Sequence, residues 1–344
     1  MEAVLVRSVA MIVDAENWAF YNIAKSVQKF ISDEYEVKII AIRLREHWHT
    51  PFDSARLWFT TRDFDIVHYF GQFGFRPTVA RGLEKEVCAL GGNYHDFRNE
   101  YIDNKILSFG VYSHQFLGED ISDMEFVLTQ CSNYYVSSTK LYEEYHALPL
   151  QHMPKTVITD GIDPELFFPI NTNRFADMGD REIVIGWVGN SNWGPPDQDH
   201  KGLRTILEPA IKELQSEEYK VTGKFADSVV EHMDRTEMVN YYSTIDLLVC
   251  VSRNEGTPNP VLEAMACGVP VISTDVGVVP EVLLGRQKDY IIERSIPSIK
   301  EKIVHLINNK DEFASLSRLN LKNIKTKYYE NIALQFKNYF DSLV

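Results

Sequence analysis

The sequence predicts an α/β protein built from two parallel-sheet domains, and three observations carry that expectation. The chain has 344 residues, of which 44% are apolar, enough to fill two cores of ordinary size. Short apolar runs of strand length alternate with helical patterns along the chain, which is the order of a parallel sheet. One stretch, Asp246 to Asp275, spells a strand, a loop, a helix and a second strand in succession.

The first domain opens with Val9–Val13, which looks like a first strand rather than a signal peptide's apolar core, so no signal-peptide layout is expected. A turn at Asp14–Trp18 and a helix over Ala19–Ile31 follow. Glu36–Leu44, Asp65–Tyr69 and Lys105–Val111 read as further strands. Phe126–Cys131 lies in a helix, and Tyr134–Ser137 is a short strand ending in Ser137-Ser138. Val157–Pro169, a strand running into a Gly/Asp/Pro loop, reads as the interdomain hinge. Glu182–Val188 is the first strand of the second domain and ends at Gly189-Asn190. Its loop carries Trp193-Gly-Pro-Pro and reaches His200-Lys201-Gly202 before a helix over Leu203–Gln215. Lys220–Phe225 is a strand, Thr236–Thr244 a helix and Asp246–Ser252 a buried strand. The chain closes with helices over Ser298–Asn308, Asp311–Lys327 and Asn331–Leu343.

Charge and cysteine usage narrow the function. A formal net charge of −14 argues against general nucleic-acid binding. Cys88, Cys131, Cys250 and Cys267 lack metal-ligand spacing and read as reduced core thiols of a cytoplasmic protein. No Asp-x-Asp motif or His/Cys cluster is read as a ligand set, so no metal is expected. No apolar run is long enough to span a bilayer, and there is no tandem repeat or low-complexity tract.

The chemistry concentrates in Glu255-Gly-Thr-Pro-Asn-Pro-Val-Leu-Glu263. Asn259 suits a helix N-cap and Pro260 the first helical position, where its missing N–H costs nothing. Gly268 suits the residue after the helix, and Pro270 prevents continuation. The N–H groups of Gly256, Thr257 and Asn259 would face the carboxyl ends of the strands, a natural phosphate site. Glu255 and Glu263 would repel a diphosphate on contact. They are better used to accept hydrogen bonds from sugar and ribose hydroxyls. Two isolated glutamates at this spacing would more often be a solvated loop acid and a dipole-favoured helix acid. The surrounding Gly-Thr-Pro-Asn-Pro and Ala264-Met-Ala-Cys-Gly-Val-Pro270 reverse that preference.

The segment Glu255–Asp275 resembles the E-x7-E signature of the family-4 retaining glycosyltransferases (glycosyl transferases group 1). The resemblance runs from about Ser137 to the C-terminus. It includes Asp160-Gly-Ile-Asp163 and Phe168-Pro169 at the domain junction and Tyr328–Phe336 in the last helix. It implies the GT-B fold: two Rossmann-like domains facing across a cleft, with a C-terminal helix crossing back. The expected boundaries are 1–162 for the acceptor-side domain, 163–327 for the nucleotide-sugar domain and 328–344 for the returning helix.

By position, the resemblance gives Glu255 a place at the donor sugar near the reacting centre and Glu263 the ribose. Gly256, Thr257, Pro258 and Asn259 would touch sugar and diphosphate, with Gly189, Asn190 and Ser191 completing the donor side. Lys201, in a Lys-Gly pair, would bind the diphosphate, although alone it would read as a surface lysine. His114 resembles the family's cleft histidine. Its plainer alternative is a hydrogen-bonded loop residue, and His200 is a weaker candidate for the same role.

Two departures stand out. The family's arginine after the strand corresponding to Ile183–Gly189 is missing from Gly189-Asn-Ser-Asn-Trp193. The glycine pair of the first turn is replaced by Asp14-Ala-Glu-Asn-Trp-Ala-Phe-Tyr21. There Asn17 and Trp18 are acceptor-side candidates, and Phe20 reads as core. Arg43, Arg45, His47, Trp48, His49, Arg56 and Arg62 form a basic, aromatic region. It is either a solvated loop or a surface for a phosphate-bearing acceptor or an anionic membrane.

The implied activity is metal-independent, retaining transfer from a nucleoside-diphosphate sugar to a hydroxyl of a glycan, glycolipid or other acceptor. No cofactor is expected beyond the nucleotide-sugar substrate. The expected setting is cell-surface polysaccharide or glycolipid assembly in the cytoplasm, with peripheral association at the inner face of the plasma membrane. A non-catalytic nucleotide-sugar-binding subunit of the same fold is the alternative that the two departures keep open. A phosphorylase-like transferase has less support, because no lysine site for pyridoxal is evident.

Overall fold

The structure is a computed structural model that describes residues 7–16, 18–42, 51–79, 83–114, 117, 120–194 and 198–344, with backbone alone for 51–55 and 73. It divides into two compact units, Met1–Asp160 with Tyr329–Val344, and Gly161–Tyr328.

The first unit is built on six parallel strands: β1 (Arg7–Val13), β2 (Tyr35–Ala41), β3 (Ile66–Phe70), β4 (Ile106–Val111), β5 (Asn133–Val136) and β6 (Thr156–Val157). Their order is β2-β1-β3-β4-β5-β6. β1 has β2 on one side and β3 on the other, so the winding reverses there. Such reversals leave a crevice beyond the carboxyl ends of the strands. β3 is buried along its whole length, as a strand covered on both faces must be.

The last helix, Tyr329–Asp341, belongs to this unit. It packs against the helix Ala19–Ile31 and buries Ile332, Ala333, Phe336 and Phe340 with Val9, Met11, Ile23 and Val27. Under it lies His68, fully buried, with Nδ1 2.7 Å from Ser108 Oγ and its ring stacked on Tyr135. Burial pushes the imidazole pKa down to about 3, so it is neutral at ordinary pH.

The second unit is built on five parallel strands: β7 (Ile183–Gly189), β8 (Val221–Asp227), β9 (Leu247–Cys250), β10 (Val271–Thr274) and β11 (Ile291–Ile292). Their order is β11-β10-β9-β7-β8, with the reversal at β7. Where the chain enters and leaves this unit, Ile162 pairs with Tyr328. Gly186 in β7 is the point of closest helix approach. A Cβ there would lie 2.9 Å from Tyr241 Oη and would strike Ile245.

At the opposite end of β9, buried Asp246 takes two 2.6 Å hydrogen bonds from Arg181 and one of 2.9 Å from the N–H of Val184. Arg174 approaches the same carboxylate at 3.5 Å and donates to the carbonyls of Tyr242 and Ile245. This network joins β7, β9 and the segment before β7 into one block.

Several expected elements change at their ends. The strand expected over Glu36–Leu44 stops at Ala41, and Arg43 and Leu44 lie outside the described residues. The helix expected over Leu203–Gln215 begins as a π-turn, Leu203–Leu207, and continues as Glu208–Ser216. The helix from Asp311 ends at Asn323 and finishes as a 3-10 turn, Ile324–Lys327. Helices at Pro51–Thr61, Gln72–Val79, Glu84–Ala89 and Tyr94–Phe97 had no clear sequence signal. Cys88, in one of these, is exposed, whereas Cys131, Cys250 and Cys267 are buried; all four are free thiols. Among the described residues no helix is long and apolar enough to cross a membrane.

Candidate functional site

In the second unit, the residues that follow β7 and β9 meet at the point where the sheet reverses its winding. Gly202 brings them together. It adopts φ +72°, and a Cβ on it would sit 2.5 Å from the carbonyl of Val251. The Lys201-Gly202 backbone therefore lies directly against the continuation of β9. Arg294 fastens the same contact from behind, donating to the carbonyls of Val251 (2.9 Å) and Asp199 (2.6 Å). The Asp199 carboxylate accepts from the N–H groups of Gly202 and Thr205, at 3.1 and 2.7 Å. Neither Arg294 nor Asp199 carried a sequence signal, because each works through backbone carbonyl or N–H groups.

This scaffold places Lys201 Nζ in a hydrogen-bonded ion pair with Glu255 Oε1, their side chains only 22% and 16% exposed. The buried thiol of Cys250 lies near the pair, its pKa raised first by burial and then by the charge of Glu255. From Glu255 the chain runs through Gly256, Thr257 and Pro258 into the helix Asn259–Ala266. Asn259 is the first helical residue and not the cap. Pro258 takes the cap position, and no side chain caps this end. In the first turn Pro260 has no N–H and the Val261 N–H donates to the Pro258 carbonyl at 2.8 Å, and the Asn259 N–H has no partner inside the helix.

Thr257 Oγ1 is buried without a hydrogen-bond partner among the described residues. The loop is also held from outside. Gly277, at φ +47°, packs its backbone so closely on Gly256 that any Cβ would overlap the Gly256 carbonyl.

Glu263 lies one turn into that helix, half-buried, and its Oε2 accepts a 2.7 Å hydrogen bond from Tyr242 Oη. Burial raises its pKa, while the Tyr242 bond and the charge of Arg235 pull it down. Beyond β7, Gly189 packs its backbone over the Trp187 ring. Asn190 Oδ1 accepts from the Asn192 N–H at 2.9 Å, so this side chain shapes its own turn. Ser191, nearly buried, donates its N–H to Asp227 and accepts from Arg204 at 2.7 Å. Arg204 also reaches Asn192 Oδ1 at 2.7 Å, which puts a guanidinium against a loop that carries no arginine of its own. His200 is partly buried against Gly194 rather than exposed.

In the first unit, His114 follows β4, and its Nε2 lies 3.1 Å from Glu144 Oε2. Its Nδ1 is buried with no partner among the described residues, as are the hydroxyls of Ser113 and Ser137. Ser137 donates its N–H to the Val111 carbonyl at 2.9 Å, so the ends of β4 and β5 lie side by side. Trp18 is 65% exposed just ahead of the helix Ala19–Ile31. Phe20 packs on Tyr112 and Phe70.

Asn17 lies outside the described residues, as do Arg43, Arg45, His47, Trp48 and His49. Arg56 is exposed, and Arg62 pairs loosely with Glu100 at 3.7 Å. The spacing Asp-x-Asp does occur, as Asp63-Phe64-Asp65 and Asp197-Gln198-Asp199. Asp65 is taken by Ser8 and Asp199 by Gly202 and Thr205, while Asp197 lies outside the described residues.

Residues 194–309 match the family described as Glycosyl transferases group 1. The lipopolysaccharide core biosynthesis mannosyltransferase LpsB of Rhizobium meliloti is 35% identical over 164 residues, covering 40% of this chain and 45% of that protein. The alignments with curated relatives all span less than half of the relative's own length. Among solved structures, the sucrose-phosphate synthase of Thermosynechococcus elongatus has a TM-score of 0.68 at 14% identity, covering 98% of this chain and 99% of that one. Anabaena HepE, solved in complex with UDP-glucose, has a TM-score of 0.65 at 12% identity, covering 97% and 99%. The shared architecture is that of GT-B proteins, two Rossmann-like α/β domains with parallel sheets.

Proposed function

We propose that this chain, which carries a glycosyl transferases group 1 domain, moves a sugar from a nucleoside-diphosphate sugar to an acceptor hydroxyl with retention of configuration. The observation that carries this reading is the shielded Lys201–Glu255 pair beside an uncapped helix start, at the strand ends where the sheet reverses. That position is where open α/β sheets bind ligands. HepE, which shares the fold, was solved with UDP-glucose, and that supports a nucleotide-sugar donor.

In this reading the bond between the anomeric carbon and the diphosphate oxygen breaks through an oxocarbenium-like transition state. The acceptor oxygen takes the anomeric carbon, and the acceptor's proton passes to the departing diphosphate. Charge grows on that leaving group, and Lys201 with the N–H groups of Gly256, Thr257 and Asn259 at the start of the Asn259–Ala266 helix stabilises it, without a metal. Gly189, Asn190, Ser191 and the Gly256–Asn259 loop line the donor. Glu255 positions the sugar, Glu263 accepts from the ribose, and His114 binds a sugar hydroxyl. Trp18 and Asn17 belong to the acceptor side. The LpsB resemblance supports an acceptor in polysaccharide or glycolipid assembly, handled in the cytoplasm at the inner face of the plasma membrane.

The test is a donor screen that reads released nucleoside diphosphate, with and without EDTA, in the native protein, Glu255→Ala and Lys201→Ala. Turnover of one donor that survives EDTA and is lost in both variants supports the reading. Tight donor binding with no turnover on any acceptor pool supports instead the non-catalytic subunit.

A further inference from the structure

Two consecutive tyrosines in the helix Arg235–Thr244 do different work. Tyr241 Oη accepts from the Trp187 N–H at 3.1 Å and donates to the Lys224 carbonyl at 2.6 Å, so it bolts the helix to β7 and β8. The missing side chain of Gly186 makes that approach possible. The helix start is fixed as well, because Asp234 and Glu237 form a reciprocal capping box. Tyr242 then points about 100° away around the helix. It is fully buried, has Phe167 edge-on at 6.3 Å, and delivers its hydroxyl to Glu263 Oε2 at 2.7 Å.

A buried tyrosine needs an acceptor for its O–H, so this bond could exist for the tyrosine's sake alone. Three facts point the other way. Tyr242 is the one hydrogen-bond donor to Glu263 among the described residues. A carboxylate has about four acceptor sites, so one bond restrains one oxygen and leaves the other to accept elsewhere. The helix carrying Tyr242 is anchored at both its cap and Tyr241, which makes Tyr242 a rigid reference for a carboxylate on a different helix. Arg235, 5.5 Å from the Phe167 ring, adds a favourable charge from the same helix.

We infer that Tyr242 is a positioning residue that aims the Glu263 carboxylate at the vicinal hydroxyls of a ribose, and so sets ribose selectivity in nucleotide binding. This rests on the donor-binding role proposed above for Glu263. A carboxylate held by one oxygen presents the other to a cis-diol. Released from Tyr242, it can rotate and lose that selectivity while the diphosphate contacts stay intact.

The experiment is calorimetric titration with UDP, GDP and ADP and their 2′,3′-dideoxy counterparts, in the native protein, Tyr242→Phe and Glu263→Gln. Thermal melting of each variant checks folding. Native protein should prefer the ribose form of its nucleotide by roughly tenfold, the worth of one charge-assisted hydrogen bond. Tyr242→Phe should shrink that preference severalfold and leave dideoxy affinity unchanged. Equal weakening of both forms, or an unchanged preference with a lower melting temperature, would show that Tyr242 only packs and would overturn the inference while leaving the donor site standing. Failure of the native protein to bind any of the nucleotides removes the donor reading and this inference together, whereas binding without a ribose preference removes the ribose role of Glu263 and this inference alone.

Discussion

Beyond β7 and β9 each charged side chain of the candidate site has a partner: Lys201 pairs with Glu255, and Glu263 accepts from the neutral hydroxyl of Tyr242. Beyond β4 and β5 the neutral groups wait. Ser113 Oγ, Ser137 Oγ and His114 Nδ1 are buried without partners among the described residues. The contrast follows from cost. A buried charge left unpaired costs far more than a buried hydroxyl, which forfeits about 1–3 kcal/mol. The charged edge must therefore be self-satisfied before any ligand arrives, while the neutral edge can leave its hydrogen bonds open.

The largest effect expected from this contrast lies in the ion pair. Lys201→Ala should lower turnover by at least about 10²-fold and weaken nucleoside diphosphate binding, as loss of a preorganised charge does. Glu255→Gln should lower turnover by a similar factor yet tighten nucleoside diphosphate binding, because it frees Lys201 from its partner. Turnover assays with titration of the diphosphate separate the two. If Glu255→Gln weakens diphosphate binding as Lys201→Ala does, the pair acts as one structural unit, and the picture of a self-satisfied charge edge is wrong.

The stability of the second unit depends on another paired charge. Asp246 is 2% exposed and carries three short hydrogen bonds from Arg181 and Val184, with Arg174 nearby. Asp246→Ala leaves the Val184 N–H without its acceptor, the 13%-exposed Arg174 without its counter-charge and the 38%-exposed Arg181 without its two bonds, so urea unfolding should show a loss of about 2–3 kcal/mol. A loss below about 1 kcal/mol would mean that Arg181 swings into water at little cost.

The division between legible and illegible parts follows the range of the interactions. Gly268 and Pro270 mark the end of a helix locally, and the Asn259-Pro260 start was placed within one residue, because such signals sit in the element itself. Short apolar runs likewise gave most strands. The contacts that hold the candidate site are long-range and mostly made by backbone. Arg294 binds two carbonyls far away in the chain, and Gly277 matters for its close approach to Gly256. Nothing beside Arg294 or Gly277 in the sequence announces such contacts. Tyr242 was invisible for the same reason: a tyrosine in a helix reads as core until its acceptor is known. Arg204 shows a further limit, since a motif read along the chain cannot reveal a guanidinium that reaches its loop from a neighbouring helix.

Acid should act in opposite directions through two groups, His68 in the first unit and Glu263 in the second. The unfolded chain protonates His68 near pH 6.5, the folded one only near 3. Between those values the unfolded state binds more protons, so the first unit loses up to about 1.4 kcal/mol per pH unit on acidification. Glu263 runs the other way. Its folded pKa is raised above the usual 4.5, so the folded state keeps the proton longer. Its contribution is lost as pH rises above 4.5 and regained as pH falls. Unfolding followed from pH 7 to 4 in the native protein, His68→Gln and Glu263→Gln measures both slopes. His68→Gln should flatten the acid loss, and an unchanged slope would assign that loss to other groups.

The smallest effects belong to the neutral edge, and they test whether its open hydrogen bonds are meant for a ligand. Glu144 Oε2 lies 3.1 Å from His114 Nε2 without forming a hydrogen bond, and Nδ1 is the open position of the ring among the described residues. Ser137→Ala removes a buried hydroxyl that has no partner among the described residues. If that hydroxyl serves only the fold, its removal should be neutral or stabilising by a few tenths of a kcal/mol, since an unsatisfied polar group disappears. If it serves a substrate, stability should rise slightly while the KM for the sugar-bearing substrate rises several-fold, with kcat little changed, the pattern of lost uniform binding. Glu144→Gln should do the same more weakly, because the amide still fills the space beside the ring. Melting curves and KM measured on the same three proteins decide the matter: higher stability with unchanged KM would leave the neutral edge as imperfect packing and remove its half of the contrast.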